Sequence, residues 1–363
     1  MQYSVQELSK IVNGVEHFSN SGLIEELVID TRSFFHAKKS LFIALKGVKR
    51  NGHDYIEVAY KKGIRNFLVE SLPLNILEDS NFILVPSCLI ALQEMAKYHR
   101  KTHNIISLGI TGSHGKTVVK EWISQLLSHH KSIVKSPKSY NSQIGVPLSV
   151  LGIQKNNEYG VFEAGISQPN EMAVLEAIIQ PTIGVLCNIT NAHIQNFKNK
   201  EELIDEKIKL FSNCTAIVTN TNNALVLNKI NTKYPNIKII SWGSEENASI
   251  KIIKISIKND CTFLVFSYKE THYSIKIPFT DNASIENSCT VFATLVALNL
   301  NLTEFIDDFN KLTPVEMRLE ITEGINNCLI INDGYHSDLH SIKTALEVLT
   351  HQKKVNKTVI LSS

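Results

Sequence analysis

Ile106-Ser107-Leu108-Gly109-Ile110-Thr111-Gly112-Ser113-His114-Gly115-Lys116-Thr117 lies near the first third of this 363-residue chain. It is close to the P-loop pattern and ends on the same Gly-Lys-Thr, although Gly109 stands one residue earlier than the general spacing asks. Residues 106–110 predict a short buried strand and residues 118–127 a helix. Glycines between them let the backbone turn tightly, so that successive N–H groups can face phosphate oxygens. The helix N-terminus adds its partial positive charge to the same place. Lys116 supplies a cation near a transferred phosphoryl group, and the Thr117 hydroxyl can ligate Mg²⁺. Gly112, Ser113, His114, Gly115, Lys116 and Thr117 are therefore the candidate nucleotide-binding residues.

Outward from this loop, residues 105–312 alternate strand and helix, the pattern of a doubly wound sheet. Strands are expected near 106–110, 160–163, 182–187, 216–219 and 237–241. Residues 250–277 alternate apolar and polar over two runs and predict an antiparallel hairpin. Residues 285–298 predict a helix. Upstream, residues 1–104 read as a separate small α/β domain, with Lys101-Thr102-His103-Asn104 as its boundary. Downstream, Thr313-Pro314 marks a break. Residues 329–332 and 358–361 then read as strands flanking a helix over 339–349. This is the start of a third, Rossmann-like α/β domain, 313–363, which is incomplete as read.

A net charge of +2 gives no footprint for nucleic acid, and 43% hydrophobic residues suit ordinary globular cores. The six cysteines are scattered without a Cys-x-x-Cys pair and read as reduced thiols of a cytoplasmic protein. No signal-peptide core stands at the N-terminus, and no apolar run is long enough to insert in a bilayer.

Further chemistry is expected where strands end, because ligands of open α/β sheets sit beyond the carboxyl ends of the strands. Glu163 closes the apolar run Val161-Phe162 and is a candidate Mg²⁺ ligand. Asn188 and His193 fall just past the next strand, and His193 is a candidate ligand there. Lys207 lies in a charged amphipathic helix over 201–211, where helix pattern alone reads it as a solvated surface lysine. Arg318 can neutralise a phosphate, and Asp333, at a strand end, can accept ribose hydroxyls.

These blocks, in this order, resemble the Mur ligase family, the ATP-dependent amide-forming enzymes of peptidoglycan synthesis. Gly109-x-x-Gly112-x-x-Gly115-Lys116-Thr117 is similar to the family's own form of the loop, which explains the spacing. Asp30-Thr31-Arg32, Leu41-Phe42-Ile43-Ala44-Leu45-x-Gly47 and Gly52-His53-Asp54 resemble the UDP-binding N-terminal domain of members that add the third and later residues. Tyr140-Asn141-Ser142-Gln143-Ile144-Gly145-Val146-Pro147 resembles the loop beside the muramoyl substrate. Glu163-Ala164-Gly165 matches the members that add D-alanyl-D-alanine.

The resemblance implies roles residue by residue. Asp30, Thr31, Arg32 and Asn141 would bind UDP-N-acetylmuramoyl-tripeptide. Lys116 would contact the ATP phosphates, with Asn287 at the adenine, Arg318 at a phosphate and Asp333 at the ribose. Thr117, Glu163, His193 and Lys207 would hold Mg²⁺ at two sites, Lys207 as a carbamylated lysine, with Lys209 as the neighbouring alternative. Lys116, Lys207 and His193 would be the catalytic set. The partners implied are UDP-N-acetylmuramoyl-tripeptide and D-alanyl-D-alanine. The chain is expected to be a monomer, with several spellings resembling a branch fused upstream of an alanine racemase. Ala283-Ser284-Ile285-Glu286-Asn287 replaces the usual His-Asn-x-x-Asn run, and Asn332-Asp333-Gly334-Tyr335-His336 replaces Asp-Asp-Ser-Tyr-Asn. The rival expectations are a nucleotide- and UDP-sugar-binding fragment without turnover, which the short third domain would suit, a Mur ligase adding a different amino acid, and a folyl-polyglutamate type of ligase. Asp30-Thr31-Arg32 argues against the last.

Overall fold

The computed structural model describes residues 1–363 apart from Ser33, 191–193, 336–338, Lys353 and 362–363. The chain divides into two units, 1–109 with 132–181, and 110–131 with 182–363.

In the first unit a five-stranded sheet runs in the order Val15–His17, Asn81–Leu84, Asn66–Val69, Ser40–Ile43, Glu26–Val28. All neighbours are parallel except Val15–His17, which is antiparallel to Asn81–Leu84. The central strands are buried on both faces, so their sequences (Ser-Leu-Phe-Ile, Asn-Phe-Leu-Val) are near-continuous apolar runs rather than alternations. Phe42, Phe67 and Phe82 form the middle of the core, with Phe67 and Phe82 stacked at 5.0 Å. Arg100, buried on the helix Cys88–Lys101, caps carbonyls of the same unit: its guanidinium donates to Ile179, His103, Ile105 and Gln180. The strand Tyr159–Glu163 also belongs here and pairs in parallel with Ile133–Lys135.

In the second unit the parallel strands Ile183–Leu186, Ala216–Asn220 and Lys238–Gly243 lie side by side, and Thr111 joins them through the bond from Cys187 N to its carbonyl at 2.8 Å. The expected hairpin over 250–277 is instead three antiparallel strands, Ile250–Lys258, Cys261–Tyr268 and Thr271–Ile277. Two-residue turns join them, Asn259-Asp260 and Lys269-Glu270, with all four residues at positive φ. Asn-Asp is a recognisable signal for such a turn, whereas Lys-Glu is not, which is why the third strand was illegible.

The helix Lys116–Ser128 buries Val119, Trp122, Ile123, Leu126 and Leu127. The helix Asn282–Ala297 is capped by the Asp281 side chain, which accepts from Ser284 N at 2.7 Å. Further along, Leu329–Asn332 is a strand as expected, but its partner is the antiparallel Glu320–Glu323. Residues 358–361 do not form the expected strand: Val359, Ile360 and Leu361 are exposed, and among the described residues no strand edge pairs with them. The apolar run met the strand pattern but lacks the partner that a strand requires.

Candidate active site

The loop after Thr111 turns on two glycines. Gly112 has φ +145° and Gly115 φ +85°, and a side chain at either is excluded twice over. A Cβ at Gly112 would stand 2.8 Å from the Cβ of Cys187, and one at Gly115 would stand 2.5 Å from Asn287 Oδ1. Gly115 is the N-terminal cap of the helix Lys116–Ser128, so the loop runs directly into a helix N-terminus. Ser113–Val118 and Arg318 line one cavity.

Three basic side chains converge on this loop. Lys116 Nζ donates to the carbonyls of Gly112 and Ser113, each at 3.0 Å. Lys207 Nζ donates to the same Gly112 carbonyl at 3.0 Å. Arg318 Nη2 reaches Thr117 Oγ1 at 3.5 Å. The sequence pattern read Lys207 as a surface lysine; it is 2% exposed. Packing of its helix, Lys200–Ile208, explains this. The ring of Phe211 lies on bare backbone at Gly184, where an added Cβ would be 2.2 Å from Phe211 Cδ1, so the helix end is drawn down onto the strand Ile183–Leu186. Burial, with repulsion from Lys116 second, lowers the Lys207 amine from 10.5 to about 7.

Arg318 is held from several sides. Its guanidinium sits over the Tyr335 ring at 4.1 Å, and Asp333 Oδ1 accepts from Leu319 N at 3.1 Å. Met317 and Leu319, on either side of it, both have positive φ, a costly conformation for such residues and one found at functional positions. Asp333, Tyr335, Arg318 and Thr117 are thus brought together, although the sequence placed them in separate blocks. Asn287 lies against Gly115.

Within the first unit, Glu163 is 1% exposed and its Oε1 accepts from Asn141 Nδ2 at 2.6 Å. Gly165 N donates to the Asn141 carbonyl at 2.8 Å, so the Asn141 loop and the Glu163 strand end form one corner. Asp30, Thr31 and Arg32 form a tight turn with Thr31 buried and Arg32 exposed: Arg32 N and Nη2 donate to Asp30 at 2.9 and 2.6 Å. Those bonds from Arg32 hold the Asp30 carboxyl down at about 2. Lys62 Nζ donates to the Thr31 carbonyl at 2.6 Å. His193 lies outside the described residues.

Among the described residues, no three His, Cys, Asp or Glu side chains group as a metal site. Thr117 in the second unit and Glu163 in the first are each a hard oxygen donor of the type Mg²⁺ takes. Lys207 as an ammonium would repel a metal; only its carbamate would fit. Sequence reasoning missed Glu286 and Asn220, which bond to Asn188 beside the loop. Their only signal is position near strand ends and a helix start.

Residues 110–295 match the sequence model of the Mur ligase middle domain. A protein of Rickettsia prowazekii, named UDP-N-acetylmuramoyl-tripeptide–D-alanyl-D-alanine ligase, is 31% identical over 97% of this chain and 78% of its own length. The chain belongs to the Mur ligase family. A protein of the same name from Buchnera aphidicola subsp. Acyrthosiphon pisum is 31% identical over 95% of this chain and 76% of its own. Mur ligase structures agree in fold. MurF from Acinetobacter baumannii superposes with TM-score 0.86 at 21% identity, covering 97% of this chain and 77% of that one. MurF of Thermotoga maritima, in complex with ADP, gives 0.76 at 23% identity, covering 90% and 74%. The α/β architecture, with an N-terminal domain, a central ATPase domain and a C-terminal domain, is that of the family. Among the described residues no helix is long and apolar enough to cross a membrane.

Proposed function

We propose that this Mur ligase joins D-alanyl-D-alanine to UDP-N-acetylmuramoyl-tripeptide at the expense of ATP, through an acyl phosphate. The observation that carries the reading is the convergence of Lys116, Lys207 and Arg318 on one glycine-bounded loop in a chain that aligns nearly end to end with ligases of that name. The tripeptide carboxylate attacks the γ-phosphorus, ADP leaves, and the dipeptide amine then displaces phosphate from the acyl carbon. Little covalent work falls to the protein in such a transfer; it aligns the reactants and neutralises charge on the phosphoryl oxygens. Lys116 and Arg318 are the cations for that task. Asn287 is proposed at the adenine and Asp333 at the ribose.

Residues 1–104 are proposed as the UDP-precursor domain, with Asp30, Thr31 and Arg32 at the uridine nucleotide and Asn141 beside the muramoyl peptide. Residues 105–312 are proposed as the ATPase domain, and 313–363 as belonging to the C-terminal ligase domain. The chain is read as a cytoplasmic monomer.

Thr117, Glu163, His193 and, as a carbamate, Lys207 are the proposed ligands of two Mg²⁺ ions, which would supply charge neutralisation at the phosphates. Carbamylation suits Lys207 for a chemical reason. An unprotonated amine attacks CO₂ and releases a proton, leaving an anionic oxygen donor in place of a buried neutral amine. Lys207→Ala is expected to lose activity that short carboxylic acids partly restore; a fully active variant would remove Lys207 from the ligand set.

The test is to incubate the purified chain with ATP, Mg²⁺, UDP-N-acetylmuramoyl-tripeptide and D-alanyl-D-alanine and to assay nucleotide binding and product; pentapeptide with one phosphate per bond formed supports the ligase reading. Binding of both nucleotides without product would favour a non-catalytic role, and turnover with another amine would move the chain to a different ligase specificity.

A further inference from the structure

The loop's first half is not held by its own glycines alone. The main-chain oxygen of Asn188, just past the strand Ile183–Leu186, accepts from Ser113 N at 2.8 Å and His114 N at 3.3 Å. Thr190 adds its carbonyl to the Ser113 hydroxyl at 3.4 Å and its hydroxyl to His114 Nδ1 at 3.1 Å. Where residues 188–190 sit therefore decides where Ser113 and His114 sit.

The Asn188 side chain is itself fixed at both ends. Its Nδ2 donates to Glu286 Oε2, and its Oδ1 accepts from Asn220 Nδ2 at 2.7 Å. A flipped amide would set NH₂ against NH₂ and oxygen against carboxylate, so this orientation is the one the neighbours permit. A hydrogen bond to a carboxylate is stronger than a neutral one, and Glu286 is the charged member of the set. Glu286 sits in the second turn of the helix Asn282–Ala297, near the end whose partial positive charge favours a carboxylate. The next residue, Asn287, is the one that lies against Gly115. Successive residues of one helix thus reach the two halves of the loop, Asn287 by lying against Gly115 and Glu286 through Asn188.

We propose that Glu286 is a positioning residue for the nucleotide-binding loop, acting through the Asn188 amide that it and Asn220 clasp. This rests on the reading of the loop as the cradle of the ATP phosphates. Glu286 touches neither the loop nor a reacting atom, and its effect should fall on ATP affinity more than on the chemical step.

The test compares wild type, Glu286→Ala, Glu286→Gln and Asn220→Asp by calorimetric ATP binding, by KM for ATP and kcat in the ligation assay, and by thermal melting. Glu286→Ala is expected to weaken ATP binding and raise KM about tenfold while kcat and melting temperature change little. Glu286→Gln keeps an oxygen acceptor for Asn188 and should recover affinity to within about threefold of wild type. Asn220→Asp puts a carboxylate against Asn188 Oδ1 and should resemble Glu286→Ala. Unchanged affinity in Glu286→Ala overturns the proposal, as does a Gln variant as weak as the Ala variant. A structural role alone would lower melting temperature and kcat together, and that result overturns it too. Wild type that binds no ATP would overturn the loop reading itself, and this proposal with it.

Discussion

Lys207→Met should make the protein more stable and inactive at once. In the folded chain the amine falls from 10.5 to about 7 because it is buried and faces Lys116. For a base with a lowered folded pKa, stability is highest above the unfolded value and drains away as pH falls toward the folded one. The loss therefore accumulates between pH 10.5 and 7, and at neutral pH nearly all of it is present. At about 1.4 kcal/mol per unit, keeping this lysine costs up to about 5 kcal/mol at pH 7. Methionine has a similar length and no charge to desolvate. The variant gives up one hydrogen bond to the Gly112 carbonyl, roughly 1 kcal/mol, and that oxygen keeps the Lys116 donor at 3.0 Å. The net expectation is a gain of about 2–4 kcal/mol. It is to be read by thermal and urea unfolding in CO₂-free buffer at pH 7, alongside a ligation assay that should show no product. Added bicarbonate should raise the melting temperature of wild type and leave the variant unmoved. A variant less stable than wild type by more than about 1 kcal/mol would refute the argument, since it would mean that the ammonium gains more from its surroundings than burial takes away.

Lys116→Ala should lower ATP-dependent phosphate release at least a hundredfold, with a circular-dichroism spectrum like that of wild type, because the side chain is half-buried at the cavity rather than in the core. His99 is buried, bonded to Tyr3 Oη at 2.8 Å and the Ile153 carbonyl at 2.9 Å, and burial holds it down from 6.5 to about 4. Its neutral form therefore stabilises the fold fully above pH 6.5, and about 3 kcal/mol is lost between pH 6.5 and 4; in His99→Gln the acid side of a stability–pH curve should be flatter over that window. Gly184→Ala would press a methyl group into the Phe211 ring and should destabilise by about 1–3 kcal/mol, with Phe211→Leu restoring part of the loss; equal melting temperatures for Gly184→Ala and wild type would show that the ring can move aside.

The P-loop was legible because its glycines, its Lys-Thr and the flanking strand and helix all state one local geometry within a dozen residues. The placement of Glu163 at a buried strand end was legible because it closes the apolar run Val161-Phe162. Lys207 was not, because a helix pattern records which residues alternate, whereas the burial of Lys207 depends on Phe211 meeting a glycine 27 positions upstream in the sequence. The clasp on Asn188 was hidden for the same reason: Glu286 and Asn220 lie 98 and 32 residues from it. Residues 358–361 failed in the opposite sense. Their composition suits a strand, but pairing is a property of two segments, and composition describes one.

The indole of Trp122 links this architecture to the order in which the chain is made. It stacks on Phe279 at 4.9 Å and donates to the carbonyl of Thr313, 191 residues later. At translation speeds of 5–20 residues per second, that acceptor leaves the ribosome roughly 10–40 s after the tryptophan. Through that interval the indole N–H lacks its native acceptor. The helix that follows the glycine loop thus completes its contacts late in synthesis, and chaperone binding in crosslinking experiments on stalled chains should extend to it.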